Sequence, residues 1–420
     1  MARSAPCRDQ LRSGGRTAAS PLRRLRVLHI ARNFPSSALP RVGLWTERLV
    51  RATLPHCESE VIAPVPYWPP LPGPRIFTQY RRVTYQRSDA GLRIHHPRIL
   101  VGPAFLLHSF EGSPFYHGVR RTADRLNRAQ RFDLVHAHFV YPDGWAAARL
   151  ARRWRVPLIV TEHASWNPWL TRHPRVRRRA IEVARQARWM IAVSRALRDN
   201  MAEFIGITDQ LVVIPNAVDE TVFVPKGGRP GSPRIVFVGL VRRVKGLDVL
   251  VRALRLLRDR GCVLKLAVIG ESPFRGYQRD QAAARELVDA LGLSSQVEFL
   301  GGLPPERVAD EIRQSSALVL PSRRETFGSV LVEALACGVP VVATRCGGTE
   351  DIVVSGELGE LVEPENPRAL ADGIATVLAN EARYDPARLR AYAVAHFGMK
   401  AVGDRLASIY RQAVATPGGA

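Results

Sequence analysis

Two glutamates separated by seven residues, Glu325 and Glu333, mark the stretch of this chain best suited to chemistry, PSRRETFGSVLVEALACGVPVVAT at 321–344. Glu333 interrupts the apolar run VLVEALA. A carboxylate among such neighbours is disfavoured by on the order of several kcal/mol unless hydrogen bonds replace the lost water. Adjacent sugar hydroxyls are suitable partners, because an ionised carboxylate accepts two hydrogen bonds side by side. Glu325, just ahead of the loop glycine, can do the same for a second sugar. Between the acids, the backbone amides of Phe327, Gly328, Ser329 and Val330 open a helix, where unpaired N–H groups and the helix dipole favour phosphate. Thr326 belongs to the same loop. Hydroxyl acceptor, phosphate cradle and hydroxyl acceptor, in that order, trace the outline of a nucleotide sugar. The competing reading makes Glu325 a solvated loop residue and turns Glu333 toward water.

Such a site needs rigid elements to carry it. Short apolar runs alternate with amphipathic stretches in two series, the pattern of parallel α/β layers. The first series comprises RVLHIA (26–31), a helix near 44–54, a strand near 59–63, DLVHAH (133–138), a helix near 143–153, PLIVT (157–161), a helix near 175–188, WMIAVS (189–194) and LVVIP (211–215). Residues 64–113 carry weak periodicity and read as long loops with one or two strands. The Pro-, Gly- and charge-rich DETVFVPKGGRPGSP (219–233) has the composition of an interdomain linker. The second series runs RIVFVG (234–239), a helix over 246–260, VLKLAVIG (263–270), a helix near 277–291, QVEFLG (296–301), a helix over 304–315, ALVLP (317–321), a helix from about 328, PVVAT (340–344) and GELV (359–362), then helices to the end. The expected organisation is a disordered basic extension over 1–24, a Rossmann-like acceptor-side domain over 25–218, the linker at 219–233, a Rossmann-like donor-side domain over 234–395, and over 396–420 a closing helix placed to cross back to the first domain, with a tail. The fold class is α/β, two Rossmann-like domains facing each other across a cleft. Ligands of open α/β sheets sit beyond the carboxyl ends of the strands, which puts the ligand between the domains.

RETFGSVLVEALACGVPVVAT resembles the signature of family 4 retaining glycosyltransferases, which have the GT-B fold. The likeness extends to VIPNAVD (213–219), VGLVRRVKGLDVL (238–250), GGTEDIV (347–353) and GELVEPENP around 359–367. The resemblance implies that Glu333 binds the ribose hydroxyls, that Glu325 contacts the transferred sugar, and that the loop from Thr326 to Val330 holds sugar and diphosphate. Lys245 matches a diphosphate-binding lysine. The family's usual arginine falls on Leu240 here, which leaves Arg242 or Arg243 to reach the phosphate. Gly43 resembles the donor-contacting glycine of the first domain, although the usual glycine pair is reduced to VG and a plain turn glycine fits as well. His163, at a strand end, matches a histidine beside the donor sugar. His136 and His138 share one strand face and either line the acceptor side or sit satisfied in the core. The implied reaction is a retaining transfer from a nucleotide diphosphate sugar to a hydroxyl of a carbohydrate or lipid-linked acceptor, in polysaccharide or glycolipid assembly. His163, Lys245 and Glu325 form the expected reacting centre. No cofactor is expected. A metal is not expected either, because no Asp-x-Asp and no His/Cys/Asp cluster of ligand spacing is found in the sequence. Rival readings are a nucleotide-sugar epimerase of the same fold, or a basic membrane- or nucleic-acid-binding protein whose transferase site has decayed.

Composition narrows these alternatives. With 420 residues, 46% of them hydrophobic, the chain can bury about two cores. Five scattered cysteines suggest a reducing cytosol, and the absence of an apolar run of about 18 residues argues against a membrane span. The formal charge of +23 attracts polyanions. Only four of the 61 basic residues are lysines, however, so the excess equally reflects compositional bias toward arginine. No nucleic-acid-binding motif is found and no nucleic acid is expected. The basic segment RHPRVRRRAIEVARQAR (172–188) has Val176, Ala180, Val183, Ala184 and Ala187 at helical spacing. It reads either as a peripheral contact with an anionic membrane surface or as a solvated face. The expected location is the cytoplasm, peripheral to the inner face of the membrane under the first of these readings.

Overall fold

The computed structural model describes residues 23–69, 71–73, 75–100, 111–164, 173–206, 208–226, 233–270 and 278–415. The basic extension through residue 22, the centre of the expected linker at 227–232 and the tail from 416 lie outside the described residues.

In the first half, strands β1 (Leu25–Ile30), β2 (Cys57–Ile62), β3 (Val65–Pro66), β4 (Gln86–Asp89), β5 (Leu92–His95), β6 (Arg98–Ile99), β7 (Leu134–His138), β8 (Leu158–Glu162), β9 (Trp189–Ala192) and β10 (Leu211–Val213) alternate with helices α1 (Leu44–Thr53), α2 (Gly112–Ala129), α3 (Trp145–Trp154), α4 (Pro174–Gln186) and α5 (Arg195–Ile205). Eight of the strands form one sheet in the order β10-β9-β8-β7-β1-β2-β5-β4, parallel except for the β4–β5 pair. β3 and β6 pair separately.

The second half contains β11 (Arg234–Val238), α6 (Leu247–Asp259), β12 (Lys265–Ile269), α7 (Gln278–Ala290), β13 (Val297–Gly301), α8 (Pro305–Arg313), β14 (Ala317–Leu320), α9 (Ser329–Ala336), β15 (Val341–Thr344), β16 (Gly359–Val362), α10 (Pro367–Ala379), α11 (Pro386–Phe397) and α12 (Met399–Ala415). Its all-parallel sheet has the order β13-β12-β11-β14-β15-β16. This is the doubly wound arrangement, with the switch point between β11 and β14.

The physical reason is visible in the strands. Ile235–Val238, Leu318–Leu320 and Val341–Ala343 are buried apolar runs, as strands covered by helices on both faces require. α12 leaves the second half and packs on α1, so closely that a Cβ on Gly403 would come within 2.0 Å of the Ala52 carbonyl oxygen. Val402, Leu406 and Tyr410 of α12 share a core with Val27, Leu134 and Ile159 of the first sheet.

Residues 64–113 depart from expectation. Their described residues hold four strands rather than one or two, and β5 extends the main sheet beside β2. Besides the single turn Arg75–Thr78, two longer helices absent from the sequence reading also appear. α2 buries Phe115, Val119, Thr122 and Ala123 among basic residues, and α5 is capped by Ser194, whose Oγ accepts from the Leu197 amide at 3.1 Å. The apolar stripe of α4 (Val176, Ala180, Val183, Ala184) is buried inside the first domain, so this helix presents mainly its polar side, with the partly exposed Ile181, to solvent. No described helix is long and apolar enough to cross a membrane.

Candidate functional site

The loop after β14 enters α9 through Gly328, whose φ of 97° lies in the left-handed region that favours glycine. A parallel bridge between Glu325 and Gly347, with the Gly348 amide on the Glu325 carbonyl at 2.9 Å, ties this loop to the end of β15. A Cβ on Gly348 would lie 2.3 Å from the Thr326 carbonyl oxygen, so the two loops touch through backbone. Phe327 is buried edge-on to Phe397, 5.8 Å between centroids. The loop is thereby held rigid from both sides, while α9 begins at Ser329 and Val330.

Glu333 is buried, 8% exposed, and points across the domain boundary. Its Oε1 accepts from Arg48 Nη1 of α1 at 2.6 Å. The compensation that its burial demands therefore comes, in this state, from a guanidinium 285 residues away in sequence. Arg48 is itself held over the Phe223 ring at 5.2 Å. The sequence reading missed Arg48; its only local signal is its position five residues after Gly43 on a helix that buries Leu49, Val50 and Ala52. Gly43 adopts φ 83° at the start of α1, and a Cβ there would lie 2.2 Å from the Asn33 carbonyl oxygen. Its lack of a side chain is required by the turn.

Glu325 faces the second cation. Its Oε2 accepts from Lys245 Nζ at 2.5 Å and from Ser322 Oγ at 3.1 Å. Lys245 closes a 3-10 turn (Arg243–Lys245) whose position is set by Arg323. The Arg323 guanidinium is bidentate to Asp248 at 2.8 Å, reaches Glu365 Oε1 at 2.8 Å, and donates to the Arg243 carbonyl at 2.5 Å. These partners push its pKa upward and hold Asp248 below the usual carboxylate range. Gly246 (φ 70°) completes the turn; a Cβ there would strike the Pro321 carbonyl oxygen at 1.9 Å. Arg242 and Arg243 line a neighbouring cavity of about 210 Å³ with Asp248 and Asp280, and the Arg243 amide is bonded to Asp280 Oδ2 at 3.1 Å. Leu240, at the position of the family's arginine, is 38% exposed.

From the first domain, His163 follows β8 and reaches the same helix start through one intermediary. Its Nδ1 lies 3.2 Å from Asn216 Oδ1, and Asn216 Nδ2 faces Ser329 Oγ at 3.5 Å. His163 Nε2 lies 3.2 Å from His138 Nδ1, His138 Nε2 lies 3.3 Å from His29 Nδ1, and His29 Nε2 lies 3.2 Å from Ser59 Oγ. Burial pulls His29 and His163 down to about 3 and His138 well below the ordinary value, so all three rings are neutral at pH 7. With the Asn216 oxygen as acceptor, each proton then has one place: Ser59 donates to His29, His29 to His138, His138 to His163, and His163 to Asn216. Both nitrogens of His163 are engaged, so the ring is a fixed neutral group beside the start of α9.

The ring nitrogens of His29, His136 and His138 also lie within 4.8 Å of one another, a grouping invisible in linear spacing because β1 and β7 are brought together only by the sheet. Every one of these nitrogens has a hydrogen-bond partner; those of His136 are Tyr410 OH at 2.7 Å and Thr161 Oγ1 at 2.8 Å. The cluster is a hydrogen-bonded core that also anchors α12 through Tyr410. The domains are further joined by Arg195, whose amide and Nε reach Asp351 at 2.6 and 2.7 Å, and by Arg41 on the Gly302 carbonyl at 2.9 Å.

Comparison with known proteins identifies the family and the fold. The profile of the group 1 glycosyl transferases matches residues 219–395, and that of glycosyltransferase family 4 matches residues 76–222. The chain is 34% identical over 325 residues, 72% of its length and 75% of the relative's, to D-inositol 3-phosphate glycosyltransferase of Nocardiopsis dassonvillei. It is 29% identical over 357 residues to the enzyme of the same name from Paenarthrobacter aurescens, covering 78% and 85% of the two chains. Among solved structures, sucrose-phosphate synthase from Thermosynechococcus elongatus superposes with a TM-score of 0.75 at 21% identity, over 93% of this chain and all of the other. HepE from Anabaena in complex with UDP-glucose superposes with a TM-score of 0.70 at 20% identity, over 92% of this chain and all of the other. At these identities the superpositions establish the shared GT-B fold.

Proposed function

Because the chain belongs to the family 4, group 1 glycosyl transferases and is a glycosyltransferase using a nucleotide sugar, we propose that it transfers the sugar with retention of configuration and without a divalent metal. The observation that carries the reading is the convergence at the start of α9: Gly328 opens the helix, Glu333 lies one to two turns inside it, and the Lys245–Glu325 pair closes the other side at 2.5 Å. Glu333 would accept the ribose hydroxyls, sharing its carboxylate with Arg48 or exchanging it. The amides of the helix start and Lys245 would receive the diphosphate, where a helix N-terminus and a compact ammonium suit negative charge. Glu325 would bond hydroxyls of the transferred sugar, and Gly43, His163 and Asn216 would bound that sugar from the first domain.

In the proposed reaction the bond between the anomeric carbon and the phosphate oxygen breaks as an acceptor hydroxyl approaches from the same face. The acceptor oxygen bonds the anomeric carbon, and its proton passes to the departing phosphate. The chain's contribution is positioning and stabilisation of charge on the leaving oxygen, tasks that Lys245 and the helix dipole can perform where other enzymes use Mg²⁺. His163 acts as a fixed wall rather than a proton carrier. A role in polysaccharide or glycolipid assembly on the cytoplasmic side is the corresponding cellular proposal. A peripheral contact with anionic lipid would use the exposed arginines of α4, since the apolar stripe of that helix is buried.

The test is a donor screen with the purified full chain, measuring nucleotide release and the anomeric configuration of the product by NMR, with EDTA in a parallel series. Retained configuration and EDTA-insensitive turnover are expected. An inverted product, or a sugar isomerised without transfer, would refute the proposal.

A further inference from the structure

A cavity of about 220 Å³ opens in the first domain beneath the loop between β1 and α1. One wall comes from that loop, including Phe34, Leu39 and Val42; the others come from the chain after β2 and from Ile99, Phe115 and Pro142. It lies at the carboxyl ends of β1, β2 and β7, where ligands of open α/β sheets bind. Asn33, in its lining, is the residue whose carbonyl Gly43 packs against, so the cavity shares a wall with the turn leading to Arg48 and Glu333. Its volume is below the roughly 300 Å³ at which drug-sized sites begin, room for one ring or a short chain.

The chemistry of this lining is selective. Most of the surface is aliphatic, aromatic or proline. The cation in the lining, Arg32, is paired with Glu111 Oε2 at 3.2 Å. Behind Pro142, buried Asp143 takes the Arg32 backbone amide on Oδ1 at 2.5 Å, while its Oδ2 has no partner among the described residues. Arg87 grips the outside of the loop, on the Pro35 carbonyl at 3.0 Å, beside Asp89. A phosphate entering here would meet a cation already paired with Glu111 and would lose its water to apolar walls. A neutral molecule would place hydroxyls on Asn33, Tyr80 and the Arg32–Glu111 pair and an apolar portion on Phe34, Leu39 and Phe115.

We propose that this cavity is the acceptor site and that it takes a neutral hydroxyl compound carrying an alkyl or aryl group, in contrast to the phosphorylated polyol named for the relatives. The proposal rests on the transferase reading above and names the substrate class of that same cleft.

The experiment uses the full chain and whichever nucleotide sugar gives nucleotide release to water without acceptor. Acceptors are methyl, butyl and octyl β-glucoside and D-inositol 3-phosphate. The expected result is a kcat/KM that rises roughly fourfold per added methylene until the cavity is filled, with octyl glucoside at least about tenfold above D-inositol 3-phosphate. Leu39→Arg should flatten the alkyl dependence, and Glu111→Gln, which frees Arg32, should raise use of the phosphorylated acceptor relative to octyl glucoside. A flat alkyl series in the wild type, or preference for D-inositol 3-phosphate, overturns the proposal. The two readings fail separately: no nucleotide sugar bound or hydrolysed would sink the transferase site, whereas donor hydrolysis with the wrong acceptor preference would sink only this inference.

Discussion

Replacing Arg48 by Met keeps an apolar stem over Phe223 but removes the partner of Glu333. Both side chains of this pair are about one-tenth exposed and their N–O separation is 2.6 Å. Breaking a fully buried pair by deleting one member costs about 3–5 kcal/mol, because the other charge is left uncompensated. The slight exposure places Arg48→Met near the lower end, about 3 kcal/mol. Glu333→Gln retains the shape and one acceptor oxygen, and should cost about 2 kcal/mol. The double variant lacks the orphaned carboxylate, so the two losses should not add; a coupling of about 2 kcal/mol is expected for groups in direct contact. Urea denaturation of the four proteins without nucleotide, followed by tryptophan fluorescence, measures it. Additivity within about 0.5 kcal/mol would show that the interdomain pair contributes nothing, and the account of how Glu333 tolerates burial would be wrong.

Other outcomes follow from the same geometry. The depressed histidines make the fold acid-sensitive: His29 and His163 hold pKa values of about 3 against 6.5 when unfolded, so their contribution is complete above pH 6.5 and is lost as pH falls toward 3. At pH 5 each should subtract about 2 kcal/mol relative to pH 7, and denaturation midpoints measured from pH 7 to pH 5 should fall; a flat profile would contradict the neutral, one-directional chain. Asp143 has the opposite sign. Burial raises its carboxyl to about 8 from 3.8, so its contribution is complete below 3.8 and is lost as pH rises through 8. Asp143→Asn should therefore stabilise the protein at pH 8, by at most about 5 kcal/mol, and have little effect at pH 4; equal shifts at both values in thermal melts would count against the assignment. Lys245→Ala should lower kcat by about 10²–10³ with a smaller change in KM, as expected for loss of charge stabilisation on the leaving group. An effect confined to KM would relegate Lys245 to ground-state binding.

The doubly wound fold was legible because parallel strands covered on both faces are written as unbroken apolar runs, such as RIVFV and ALVL. Residues 64–113 were opaque for the converse reason. Gln86–Asp89 is a polar edge strand with mostly exposed residues, and Gly112–Ala129 hides its buried Phe115 and Val119 behind a Gly-Ser-Pro start and several arginines. Within the site, the demand of Glu333 for a partner could be read from VLVEALA, but Arg48 could not, because nothing local pairs residues 285 apart in sequence. The line from Ser59 through His29 and His138 to His163 was equally hidden, since it runs across β2, β1 and β7 to the end of β8. HAH showed that two histidines share a face; the third and fourth members depended on strand order.

Nucleotide affinity tests whether Glu333 and the start of α9 hold the donor. Calorimetric titration of UDP and GDP into wild type, Glu333→Ala and Glu325→Ala should show saturable binding of at least one nucleotide to the wild type. Glu333→Ala should weaken that binding by about 10- to 100-fold, the loss of charge-assisted hydrogen bonds worth about 1.5–3 kcal/mol. Glu325→Ala should stay within about threefold in affinity while losing turnover, because its proposed contact is with the sugar. Wild-type nucleotide affinity in Glu333→Ala would show that Glu333 does not hold the donor.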